Sequence, residues 1–121
     1  MEMLGKILVG LVALEHLYIL YIEMVAWETK GKETFKGSLA PELFRPTKVL
    51  AANQGLYNGF LAAGLIWTFF ITDHNWAFYI AVFFLTCIIV AGIYGALTAS
   101  RKIFFVQALP AIVALIVLHL R

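Results

Sequence analysis

Four long apolar runs, Leu4 to Trp27, Val49 to Thr72, Trp76 to Ala99 and Ile103 to Leu120, leave this chain few ways to fold. Each comes close to or exceeds the ~20 residues that an α-helix needs to cross a hydrocarbon core ~30 Å thick. Charge is scarce: 13% of the residues are charged and 63% hydrophobic, against about 25% charged in a soluble domain. A bundle with a polar outside cannot be written from these letters. The single cysteine, Cys87, excludes a disulfide scaffold. The expected fold is an all-α membrane protein, four transmembrane helices in an up-down bundle. Residues 1–121 then form a single membrane domain with spans near 4–27, 49–72, 76–99 and 103–120.

Local signals agree with these bounds. Thr47, Asp73 or Asn75, and Ser100 stand before the second, third and fourth runs, where a side-chain oxygen can serve the unpaired amides of a helix start. Glu2 makes the segment ahead of the first run acidic, Glu15 and His16 interrupt its apolar core, and no small-residue cleavage site follows it, so a retained helix is expected and not a signal peptide. The connections at Asp73-His74-Asn75 and Ser100-Arg101-Lys102 are tight. Only residues 28–48 offer length for structure outside the bilayer.

Basic residues flanking membrane helices stay cytoplasmic. Lys30, Lys32, Lys36, Arg45 and Lys48, with Arg101 and Lys102, gather on one side, whereas Lys6 and Arg121 lie on the other. The expectation is a bacterial cytoplasmic (inner) membrane protein, multi-pass, with both termini outside. The net charge of +2 expresses this bias, and no nucleic-acid partner is expected. Leu39, Leu43 and Phe44 among the loop charges suit either anionic headgroups or a solvated connector. Trp27 and Trp76 suit interfacial belts.

Ionisable groups inside a membrane are costly and default to function. On the first span Glu15, His16 and Glu23 fall within an arc of about 100°. On the second, Asn53, Gln54, Tyr57 and Asn58 occupy roughly 140°. Nearly opposite them, the small residues Ala51, Gly55, Gly59 and Ala63 permit close approach of another helix, within or between chains. Ala91, Gly95 and Ala99 form a comparable stripe on the third span. Counted from the cytoplasmic ends at 1.5 Å per residue, Glu23, Asn53, Tyr94 and Gln107 share a layer ~6–8 Å deep. The expected site is therefore a polar pocket in the cytoplasmic half, lined by Glu23, Asn53, Gln54, Tyr57, Tyr94 and Gln107. Asn58, His16 and Glu15 continue it toward the midplane. Pro110 cannot donate to the carbonyl of Val106, which places a kink one turn past Gln107. Interhelical hydrogen bonds without a ligand would use the same residues.

The available chemistry is narrow. No Cys/His cluster suits a metal, no Gly-rich phosphate loop is present, and His16 and His119 stand at different depths, against haem ligation. No cofactor is expected. Carboxyls, an imidazole, amides and phenols in low dielectric suit proton-linked binding of an apolar or amphipathic molecule, or acid/base chemistry on one.

The run from Thr47 to Leu65, with its Ala52-Asn53-Gln54-Gly55-Leu56-Tyr57-Asn58-Gly59 core, resembles the domain of unknown function 1304 family of small bacterial integral membrane proteins. So do Val90-Ala91-Gly92-Ile93-Tyr94-Gly95-Ala96 and Phe105-Val106-Gln107-Ala108-Leu109-Pro110-Ala111, and Glu15-His16 and Glu23-Met24 fit as well. The resemblance covers essentially the whole chain. It implies a four-span membrane protein and carries no activity with it.

Three functions are compatible with these residues. The leading expectation is binding of a small apolar molecule, with Glu15 or Glu23 changing protonation during binding or export, in a homodimer joined through the small-residue stripes. A membrane-embedded isomerase or hydratase would use a glutamate as acid/base, with His16, Tyr57 and Asn53 orienting the substrate. An accessory membrane subunit would use the polar layer for packing alone.

Overall fold

The computed structural model describes residues 1–120; Arg121, one of the two basic residues expected on the outer side, lies outside them. The chain is helical, and among the described residues the only β-type pairing is an isolated bridge between Lys36 and Leu39. The long helices are α1 (Met3–Met24), α2 (Lys48–Trp67), α3 (His74–Thr98) and α4 (Arg101–His119). By length and composition α1, α3 and α4 are apolar enough to cross a membrane. At 20 residues α2 has the length, but Lys48, Asn53, Gln54 and Asn58 keep it outside that set.

Two helices stop short of their apolar runs, for local reasons. Past Met24 the backbone widens: Ala26 N–H bonds Tyr21 O at 3.1 Å, and a π-helical turn follows over Trp27–Gly31. Past Trp67, α2 tightens into a 3₁₀ turn, Thr68–Phe70, where the buried Thr68 hydroxyl donates to Leu65 O at 2.6 Å. Asp73 then caps α3 by accepting from the amides of Asn75 and Trp76 at 2.9 and 3.1 Å, and Ser100 caps α4 by accepting from Lys102 at 3.3 Å. Thr47 has a different task from the cap expected of it. Its hydroxyl donates to Leu43 O and accepts from the Trp27 indole N–H at 3.0 Å.

The chain divides into two compact units. One comprises residues 1–14 together with those from Leu61 onward. Its core draws Val9, Val12 and Ala13 from α1, Leu65 from α2, Ala81, Leu85 and Ile88 from α3, and Ala111, Ala114 and Leu118 from α4. The spacings of three and four residues are those of one helix face. Here α3 and α4 form an antiparallel hairpin, since Phe78 stacks edge-on against His119, Gly92 lies on Ala108, and Gly95 on Ile103. A Cβ on Gly92 would come within 2.8 Å of the Ala108 Cβ and 2.9 Å of its backbone nitrogen. Gly92 is thus the point of closest approach, while Ala91 and Ala99 of the expected stripe are exposed. The correction is small in sequence and large in angle, because one residue turns a helix by about 100°.

Pro110 acts on this hairpin through backbone register. Residues Phe104–Ala108 form a π-helical turn, with Leu109 N–H bonding Phe104 O. The amide that Pro110 lacks is absorbed by one wide turn just ahead of it.

The second unit, Glu15–Phe60, holds the later turns of α1, the connection, and the first turns of α2. The two helices run antiparallel, with Gly59 against Leu20 and Gly55 against Leu20, Glu23 and Met24. The connection is folded. Trp27 packs on Phe35 and Phe44 at ring-centre distances of 5.5 and 4.9 Å, and Phe44 is only 1% exposed. Phe44, expected either on headgroups or in a solvated connector, is instead buried in a small aromatic core with Trp27, which the Trp27–Thr47 hydrogen bond closes from end to end.

Candidate functional site

The polar side chains of the second unit are sorted by helix geometry. His16 and Glu23 are seven residues apart on α1, almost two turns, and so share a face; they are 1% and 6% exposed. Glu15, one residue away, is turned to the side and half-buried. Its Oε1 stands 4.0 Å from His16 Nδ1 and has no hydrogen-bond partner among the described residues.

Glu23 meets α2. The Asn58 amide donates to Glu23 Oε1 at 2.7 Å and also lies 3.2 Å from the carbonyl of Gln54 in its own helix. A side chain as short as asparagine spans the gap because glycines flank it. A Cβ at Gly55 would lie 2.7 Å from Met24 Cγ and 3.0 Å from Glu23 Cβ, and one at Gly59 would lie 2.5 Å from Leu20 Cδ1. The small residues of α2 thus bring the two backbones close, and that closeness makes the carboxyl–amide bond. Ala51, also of this stripe, is buried, whereas Ala63, in the other unit, is exposed.

The remaining residues of the expected layer are placed differently. Asn53, Gln54 and Tyr57 are exposed on α2; the Asn53 amide donates back to Val49 O at 3.0 Å, and Tyr57 packs edge-on against Phe60. Tyr94 and Gln107 belong to the other unit. Tyr94 is exposed on α3, and Gln107 is half-buried inside the π-helical turn of α4. The structure joins Glu23 to Asn58, sets Glu15 beside His16, and leaves the α2 amides and phenol outward. The Trp27–Thr47 bond escaped the sequence reading. Its signal is a tryptophan and a threonine at the two ends of one connection.

Chemically the centre is a carboxyl held by an amide. Its partner is not a cation, so it can take up or release a proton without breaking an ion pair. Among the described residues no group of three or more His, Cys, Asp or Glu is placed to hold a metal ion.

Comparison with known proteins bears on the whole chain. Uncharacterized protein YpaA of Lactococcus lactis subsp. lactis (strain IL1403) is 38% identical over 124 residues, covering 96% of this chain and 97% of that protein. No solved structure matches. The family described as Protein of unknown function (DUF1304) matches residues 10–119, a range that includes Glu15, His16, Glu23 and Asn58. With nearly its full length matched, the chain belongs to that family.

Proposed function

We propose that this protein is a four-span bundle of the bacterial cytoplasmic membrane that binds a small apolar or amphipathic molecule beside Glu23 and Asn58. In this reading Glu23 exchanges a proton as the molecule binds or is exported. The observation that carries it is the Glu23–Asn58 bond of 2.7 Å between two side chains that are 6% and 8% exposed. A carboxyl in the apolar layer is costly to insert, by ~2.5–3.5 kcal/mol for an aspartate at a helix centre. An amide partner offsets only part of that. Glu15 Oε1, buried without a hydrogen bond beside His16, adds a second acidic group two turns away. The reading of α2 as the fourth span rests on its 20 residues, about 30 Å at 1.5 Å each, and on its close antiparallel packing against α1. The clustering of Lys and Arg at residues 30–48 and 101–102 supports termini on the outer side.

Native mass spectrometry of protein released from lipid nanodiscs tests the proposal, wild type beside Glu23→Gln. The wild type is expected to carry a small molecule that the variant loses, and binding of that molecule should vary with pH in the wild type alone. Wild-type protein that carries only bulk lipid, indistinguishable from Glu23→Gln, would refute it. Conversion of the recovered molecule by wild type, with binding retained and conversion lost in the variant, would favour catalysis by Glu23 over transport.

A further inference from the structure

We infer that the folded connection between α1 and α2 gathers anionic lipids, holding their phosphate headgroups in the leaflet where α1 ends. The inference rests on reading α1 and α2 as spans and is independent of any molecule bound beside Glu23.

The connection carries positive charge that the chain does not neutralise. Glu28 is answered by Lys48 at 3.7 Å. Lys30, Lys32, Lys36 and Arg45 are all exposed and form no ion pair among the described residues. Glu33 and Glu42 are the only other acids within residues 28–48. Basic side chains therefore remain in excess on this surface, and their complement is an anion.

The charges are also held in place. Gly31 is buried beneath Trp27, where a Cβ would lie 3.0 Å from Trp27 Cε3, so Lys30 and Lys32 flank a packed point. Trp27 in turn packs on Phe35 and Phe44 and bonds Thr47 across the connection. A surface ordered in advance loses less freedom on binding than a slack tether would.

The neighbours of these charges select a lipid over a soluble acidic partner. Exposed apolar side chains stand beside them: Val25 where α1 has ended, Leu43 two residues before Arg45, and Val49 and Leu50 directly after Lys48. A bilayer containing anionic lipid presents both complements at once, an acidic layer above hydrocarbon. It is also within reach. Lys30 follows Met24, the last residue of α1, by six positions, at most about 20 Å of chain.

The full chain in nanodiscs of phosphatidylglycerol and phosphatidylcholine tests this, with a fluorophore on Leu43→Cys in a Cys87→Ala background. Either lipid is supplied with a nitroxide high on its acyl chain, and quenching by the two is compared at equal mole fraction. Phosphatidylglycerol should be favoured about fivefold or more, the effect of one or two basic side chains near an anionic surface. The preference should fall toward one in about 0.5 M salt and in a combined Lys30→Gln, Lys32→Gln, Arg45→Gln variant, and Glu23→Gln should keep it. Equal quenching by both lipids would overturn the inference and leave the spans. Quenching by neither would overturn it together with the placement of the connection at the bilayer. Displacement of phosphatidylglycerol by millimolar inorganic phosphate at constant ionic strength would make free phosphate the occupant. Equal quenching in nanodiscs, with the Leu43→Cys thiol shielded from maleimide only in native membranes, would replace the lipid by a protein partner.

Discussion

Replacing Asn58 by leucine, close to it in size, would remove the Glu23 amide partner and leave the carboxyl buried against α2. The bond is short, 2.7 Å, and inside the protein. Interhelical hydrogen bonds in membranes average ~0.6 kcal/mol and reach ~1.7. Stranding a buried polar group costs about 1–3 kcal/mol, more if it is charged. Asn58→Leu should therefore destabilise the protein by about 2 kcal/mol. Glu23→Leu should cost far less, because Asn58 keeps the Gln54 carbonyl at 3.2 Å and a carboxyl leaves the apolar layer. The double variant, with both partners apolar, should recover most of the loss, for a coupling of about 1–2 kcal/mol. Unfolding by sodium dodecyl sulfate in mixed micelles, followed by circular dichroism, measures all the terms. If Asn58→Leu costs less than Glu23→Leu, or the coupling is zero, the bond does not hold these helices and the reasoning fails.

Other contacts give equally direct expectations. Gly92→Ala, whose Cβ would meet the Ala108 backbone at 2.9 Å, should cost about 1–3 kcal/mol by overpacking, seen as a lower melting temperature. Gly5→Ala, which meets only the movable end of Leu118 at 2.7 Å, should be nearly neutral in the same assay. Asp73→Ala removes the α3 cap and should cost about 1 kcal/mol, with faster amide exchange confined to residues 74–77. Trp27→Phe keeps the ring contacts and loses the bond to Thr47, so trypsin should cut faster at Lys30, Lys32 and Lys36. Thr47→Val should match it, and the double variant should be no worse.

Much of the fold is legible in the letters, because caps and helix breakers act locally. Asp73 and Ser100 cap as their chemistry requires, and Pro110 forces a backbone adjustment within one turn. Gly55 and Gly59 mark a close helix contact for a similarly local reason, the absence of a side chain. Tertiary choices are harder to read. In α3 the covered side, Ala81, Leu85, Ile88 and Gly92, is as apolar as the exposed side, Phe83, Val90 and Leu97. Lipid imposes no polar outer face, so periodicity cannot say which stripe is buried, and Gly92 was not separable from Gly95. The site shows the same limit. Asn53, Gln54, Tyr57 and Asn58 share one wide arc, and only the path of α1 selects Asn58 for Glu23. Phe35 and Phe44 lie in a charged connection, where sequence spacing gives no sign that they converge on Trp27.

The α3–α4 hairpin also sets an order of assembly. Gly95 and Ile103, and then Gly92 and Ala108, meet across a connection of two residues, Ala99 and Ser100. Closing so short a loop costs little entropy, and contacts local in sequence form fast. Gly5 waits for Leu118, far along the chain in α4. α1 is thus made well before α4 yet packs fully only once α4 is in place, and in between it must hold its place in the bilayer without that partner.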